Sequence, residues 1–250
     1  MKFVKGLVKT GLEKAGFKLV RSDEYYLINQ NRVLEREHKK YSRSIIERHW
    51  QQTRDTVVFL RKKYEKPIFG KAHVLDLLKL LAQCIDPGDT ALLGLSQLTH
   101  VLQVIEGMEK DGVEDQDLLI AALVHDLGKL LLLTDESPEN VICMNRPIGK
   151  YERGIGLNNC YFQWNHDEFI YSRLKDYLPE HIAWLVRYHG ILIPESEPYM
   201  NEKDRSYLEK YLRIFRKYDT ETKSPYQIPK KKIEDYQDLI HLYFPKPVLF

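Results

Sequence analysis

The chain reads as an all-α protein, a single helical bundle with an N-terminal amphipathic helix extension. Three observations carry this reading. Apolar residues recur at helical spacing over most of the stretch from Ser44 to Tyr243. No alternation of apolar and polar residues long enough to make a convincing strand interrupts them. With 250 residues, 43% of them hydrophobic and 30% charged, the composition is that of a globular chain able to bury one substantial core. The 38 Lys+Arg nearly balance the 36 Asp+Glu, which argues against a nucleic-acid-binding surface. No apolar run nears the roughly 18 residues of a membrane span, so no transmembrane segment is expected. The three cysteines, Cys84, Cys143 and Cys160, form no close-spaced metal knuckle, and their odd number favours reduced thiols in a cytoplasmic protein.

Taken in order, Phe3, Val4, Leu7, Val8 and Leu12 fall on one helical face, with Lys2, Lys5, Lys9 and Lys14 elsewhere. Such a helix packs on the body or a partner, with an anionic membrane surface as the alternative contact for residues 1–20. Residues 21–43, rich in charge and tyrosine, read as a connecting arm. Domain boundaries follow at 1–43 for the extension and 44–250 for the bundle. Helical spacing begins at Ile45 and Ile46, continues through Val57 to Leu60, and stops before Pro67. His73 to Ile85 repeats it, closed by the Asp86-Pro87-Gly88-Asp89 turn. Further helices are expected over Gly94 to Lys110, Glu114 to Leu133, Asp167 to Tyr177, Pro179 to His189, Lys203 to Tyr218 and Lys232 to Tyr243.

The chemistry concentrates on His125-Asp126, two adjacent ligand-type side chains that follow the apolar stretch Leu118 to Val124. A carboxylate beside a histidine can bridge two cations while the imidazole takes one, and such oxygen and nitrogen donors suit iron, manganese or zinc. Separate helices add His100, His166, His189 and Asp219. Four imidazoles and two carboxylates are the donor set of a closed dinuclear site in a helical bundle. His38, His49, His73, His181 and His241 lie in less distinctive surroundings and read as structural.

The order His100, His125-Asp126, His166, His189, Asp219 resembles the HD-domain superfamily, so the bundle is expected to be HD-domain-like. Three local words are similar to the myo-inositol oxygenase family in particular. They are Leu123-Val124-His125-Asp126-Leu127-Gly128-Lys129, Trp164-Asn165-His166-Asp167-Glu168-Phe169-Ile170-Tyr171, and Tyr218-Asp219-Thr220-Glu221-Thr222-Lys223-Ser224-Pro225. The resemblance implies one iron on His100, His125, Asp126 and Asp219, a second on His166 and His189, and Asp126 bridging them. It implies a mixed-valent Fe(II)/Fe(III) pair with dioxygen as co-substrate, one iron chelating a small polyol while the other activates oxygen. The implied reaction is oxidative carbon–carbon cleavage, myo-inositol to D-glucuronate. Lys129 and Lys223 match family lysines near the substrate oxygens, with Lys129 joining Asp126 as a catalytic residue. Asp86 and Asp89 match a pair of family aspartates on the loop before the first histidine helix.

Two departures bear on the substrate. Cys143-Met144-Asn145 stands where the family carries Gly-Asp-Thr with a substrate-binding aspartate, and Gly190 where it carries a serine. Either Asn145 takes the aspartate's place by a shift of one residue, or the substrate is a related cyclitol or sugar derivative with an apolar group facing Met144. Competing functions are an HD-type metal-dependent phosphohydrolase, a diiron oxygenase acting on a hydroxyphosphonate, and a non-enzymatic binding module.

Overall fold

The computed structural model describes residues 17–19, 27–29, 32–92, 94–142 and 144–250. The amphipathic helix expected over Phe3 to Leu12 lies outside them. Strands β1 (Phe17–Leu19) and β2 (Leu27–Asn29) pair antiparallel, and helix α1 follows over Arg32–His49. Part of the expected connecting arm is therefore regular, and α1 runs through the expected boundary at residues 43 and 44. Charge obscured this helix in the sequence, although Leu, Glu, Arg and Lys are strong helix formers. Its C-terminal half belongs to the body: Ile45 and His49 are fully buried, and Ser42 Oγ donates to the Gly88 carbonyl at 3.0 Å.

Helix α2 (Arg54–Lys63) opens on a reciprocal capping box between Thr53 and Thr56. Strand β3 (Lys71–Ala72) and helix α3 (Val74–Leu80) follow, and then the 3-10 turn Leu81–Gln83. Ser96 caps α4 (Gln97–Lys110), and Asp115 caps α5 (Gln116–Val124) by accepting from the amides of Asp117 and Leu118. Every residue of α5 from Ile120 to Val124 is buried, because α4 and three later helices pack around it. These are α7 (Glu180–Tyr188), α10 (Arg213–Glu221) and α11 (Gln237–Tyr243); between α5 and α7 lies α6 (His166–Leu174), and α8 (Ile193–Ser196) and α9 (Glu202–Tyr207) precede α10. A π turn, Leu208–Leu212, joins α9 to α10 and carries the helical path on to Glu221. Strand β4 (Val248–Leu249) pairs with β3.

The mainly helical bundle is as expected, and among the described residues strands amount to two short two-stranded pairs. No described helix is long and apolar enough to cross a membrane. One expected helix is broken where the chemistry lies. Instead of continuing from Glu114 to Leu133, the α-helix ends at Val124, Asp126 takes φ −97° and ψ 4°, and Leu127–Leu133 winds as a 3-10 helix. In a 3-10 helix, side chains three residues apart eclipse. The change of winding therefore stacks Lys129 on Asp126.

Candidate metal centre

Five segments deliver the side chains. His100 lies in the first turn of α4, His125 and Asp126 at the C-terminal end of α5, His166 at the first position of α6, His189 just past α7, and Asp219 in α10. Asn165 caps α6 through the Asp167 amide, which fixes the entry of His166. Phe215, one helical turn before Asp219, sets its ring edge against His125 and His189 at centroid distances of 5.1 and 6.1 Å.

All six residues converge, and Asp126 stands between two halves. Its Oδ2 lies 3.6 Å from His100 Nε2 and 3.4 Å from His125 Nε2, while its Oδ1 lies 3.1 Å from His166 Nε2 and 3.8 Å from His189 Nε2. Within each half the two Nε2 atoms are 3.4 Å apart. Asp219 Oδ1 completes the first half, 3.0 Å from His100 Nε2 and 3.7 Å from His125 Nε2. His100, His125, Asp126, His166 and His189 are all buried. The two triads that share Asp126 each have the spacing of a metal site.

The donor chemistry fits a cation in each half. His125, His166 and His189 donate through Nδ1 to the carbonyls of Ala122, Val141 and Val186, at 3.0, 2.6 and 2.8 Å. A carbonyl only accepts, so a neutral ring so held carries its lone pair on Nε2. In the second half the lone pairs of His166, His189 and Asp126 then face one another in a buried space; in the first, His125 and Asp126 do so beside His100, whose Nδ1 makes no hydrogen bond. Asp126 Oδ2 receives no well-directed hydrogen bond. Such a group of facing acceptors is reconciled by a bound cation or by added protons. The electrostatics show the same demand. Burial disfavours a charged His166, but Asp167 and Asp126 outweigh it and hold the imidazole up at about 10. Burial likewise opposes ionisation of Asp126 and Asp219, yet Lys129 beside the one and Lys223 beside the other, with the histidines, hold both well below the ordinary carboxylate range.

Two lysines and two aspartates line the cavity over this cluster. Lys129 Nζ is 2.9 Å from Asp86 Oδ2, 3.1 Å from Asp126 Oδ2 and 2.9 Å from Gln97 Oε1. Lys223 Nζ is 2.9 Å from Asp89 Oδ2. Burial works against the Lys129 charge, but Asp126, Asp86 and Asp89 overcome it and keep the ammonium protonated far into the alkaline range. The cavity measures about 350 Å³, the size of a small-molecule site. Its walls also include Ile46, Ile142 and Met144.

A model of the myo-inositol oxygenase family matches residues 38–143 and 139–250. The chain belongs to that family. Among its relatives, Arabidopsis thaliana inositol oxygenase 1 is 30% identical, covering 79% of this chain and 76% of the relative. Inositol oxygenase 5 of the same plant is 28% identical, covering 92% of this chain and 88% of the relative. Rattus norvegicus inositol oxygenase is 25% identical, covering 79% and 82%.

Among the substrate-side residues expected from the family pattern, Asp86, Asp89, Lys129 and Lys223 line the cavity, and Asn145 does not. Asn145, one of the two alternatives for the place of the family's aspartate, is set back from the cavity wall. Its carboxamide is buried between His49 Nε2, 3.0 Å from Oδ1, and Asp167 Oδ2, 3.3 Å from Nδ2. Its backbone is fixed to Gly190 and Leu192 by hydrogen bonds of 2.8 and 2.7 Å. Met144 lines the cavity in its place. Three further residues went unassigned in the sequence. Gln97 shares the Lys129 ammonium, Phe215 buttresses two imidazoles, and Asp167 brings Oδ1 to 2.9 Å from His166 Nε2. Gln97 and Phe215 lie one helical turn from His100 and Asp219 respectively, and that spacing is the signal that could have found them.

Proposed function

We propose that this protein is a non-haem diiron oxygenase that uses dioxygen to cleave a carbon–carbon bond of a cyclic polyol, myo-inositol or a related cyclitol or sugar derivative. For myo-inositol the balance is one ring and one dioxygen giving one D-glucuronate, one water and one proton. The observation that carries the reading is Asp126, whose two oxygens each face a separate pair of buried imidazoles on the floor of a polyol-sized cavity. His100, His125, Asp126 and Asp219 would hold one iron, and His166 and His189, with Asp126 shared, the other. A mixed-valent iron pair bound there supplies Lewis acidity toward substrate oxygens and one-electron activation of dioxygen.

The chain's own residues bind, orient and balance charge. Lys129 stays cationic, so it acts as a donor and counter-charge to a substrate oxygen and not as a base. Lys223 is likewise raised: burial opposes its charge, and Asp219 and Asp89 prevail. Asp86 and Asp89 hold the two ammonium groups and offer their remaining lone pairs to ring hydroxyls. Ile46, Ile142 and Met144 add apolar surface to the cavity wall. Cys84 and Cys160 are free thiols, in keeping with a cytoplasmic location.

Oxygen uptake by the iron-loaded protein across inositol isomers, sugars, hydroxyphosphonates and phosphate esters tests the proposal. Uptake with a cyclic polyol, matched one to one by acid formed, supports it. Oxygen-independent release of phosphate, with no polyol oxidised, contradicts it and supports a phosphohydrolase.

A further inference from the structure

The two halves of the centre are more alike than the expected ligand set allows. In the first half, Asp219 Oδ1 faces the imidazole pair at 3.0 and 3.7 Å. In the second, Asp167 Oδ1 faces its pair in the same way, 2.9 Å from His166 Nε2 and 3.5 Å from His189 Nε2. Asp167 is fully buried, and its Oδ1 makes no well-directed hydrogen bond among the described residues, its nearest polar neighbour being His166 Nε2. We propose that Asp167 is a ligand of the second metal, the counterpart there of Asp219 at the first. The inference rests on the dinuclear reading above and adds a protein carboxylate to it.

The surroundings of Asp167 are built for this placement. Its other oxygen, Oδ2, takes a hydrogen bond from Asn145 Nδ2, which turns Oδ1 toward the imidazoles. A Cβ added at Gly190 would stand 2.6 Å from Oδ2, closer than any side chain tolerates. Glycine at 190 is therefore a condition of the Asp167 position. The two segments that depart from the family's substrate pattern, Met144-Asn145 and Gly190, thus both bear on one carboxylate. An oxygen donor added to the second metal would fill one of its positions and favour a hard, more highly charged ion.

The test uses the full-length protein, loaded anaerobically with Fe(II) and, separately, with Co(II). A crystal structure of the loaded protein is expected to show Asp167 Oδ1 at about 2.0–2.2 Å from the second metal, as for other carboxylate ligands. In Co(II) titrations, Asp167→Asn and Gly190→Ser are expected to weaken the second equivalent by about 10-fold or more and to leave the first unchanged. A second metal held by His166, His189 and Asp126, with Asp167 beyond about 3 Å, would overturn the inference and leave the dinuclear centre standing. A wild-type protein that binds only one metal would overturn the dinuclear reading itself.

Discussion

The α-carbon of Gly128 lies against the backbone of His166: a Cβ added there would stand 2.2 Å from the His166 carbonyl oxygen. Leu127 and Gly128 separate Asp126 from Lys129 in sequence, and the Gly128 contact limits how closely the segment that holds Asp126 approaches the helix that opens the second half. Both partners are main chain, so neither can swing away. Gly128→Ala is therefore expected to displace His166, to cost about 1–3 kcal/mol in unfolding free energy, and to lower affinity for the second metal more than for the first. Denaturant unfolding and metal titration check this; unchanged affinity at both positions would show that the contact does not set the geometry.

Lys129 is enclosed by Asp86, Asp126 and Gln97 and faces the cavity. Its replacement by Met keeps the length of the side chain and removes the charge. Turnover is expected to fall about 100-fold or more, as when one preorganised donor to a developing oxyanion is removed. Iron content should remain, since Lys129 is not among the donors around either position. Single-turnover kinetics, together with metal analysis of the same preparation, separate the two effects. Turnover within a factor of a few of wild type would remove Lys129 from the machinery.

Met144 presents a thioether to the cavity where an acceptor would suit a ring hydroxyl. An unpaired hydroxyl costs about 1–3 kcal/mol, so Met144→Asp is expected to tighten myo-inositol binding by about 5-fold to 150-fold. Calorimetric titration of the loaded, anaerobic protein measures it. A weaker or unchanged affinity would mean that the natural ligand places an apolar group, and not a hydroxyl, against this wall.

The pH dependence of stability has a source outside the metal cluster. Glu136 accepts from Lys63 Nζ at 2.6 Å, Tyr64 Oη at 2.5 Å and Asn140 Nδ2 at 2.8 Å. Burial alone would raise its carboxyl, but these donors outweigh it and hold the group below its ordinary value. A lowered carboxyl contributes stability that is fully present above its unfolded value, about 4.3, and lost as pH falls through the folded one. Tyr64 also stacks on Trp164, two residues before His166, at a centroid distance of 5.0 Å, so the contact supports the entry to α6. Glu136→Gln should cost about 1–3 kcal/mol at neutral pH and less in acid. Unfolding midpoints from pH 3 to 7 test the sign: a difference that grows in acid would contradict it.

Much of the candidate centre was legible because its donors are chemically distinctive and lie on or beside strongly apolar helices. His125-Asp126 ends a run that is apolar on every side and His100 lies on an amphipathic helix, and the resemblance to the family joined them into one set. The break at Asp126 was not legible. The apolar run after Gly128 satisfies a 3-10 period as readily as an α-helical one. Asp167 carries no distinctive signal in the sequence, because an acidic residue at a helix N-terminus is ordinary on dipole grounds. The direction of Asn145 lay in a turn without periodicity, and only its bonds to His49, Asp167 and Gly190 decide it. Helix α1 was hidden for the opposite reason: the first half of its sequence has no apolar stripe to betray it.

The central claim is that Asp126 joins two metals, and the iron content of the wild-type protein beside that of Asp126→Ala tests it most directly. The wild type is expected to hold about two irons per chain and, when partly reduced, to give the paramagnetic signal of a coupled mixed-valent pair. The variant should lose both metals, since two cations at close range without a shared carboxylate repel. One iron per wild-type chain, or an Asp126→Ala protein that keeps two, would contradict the account.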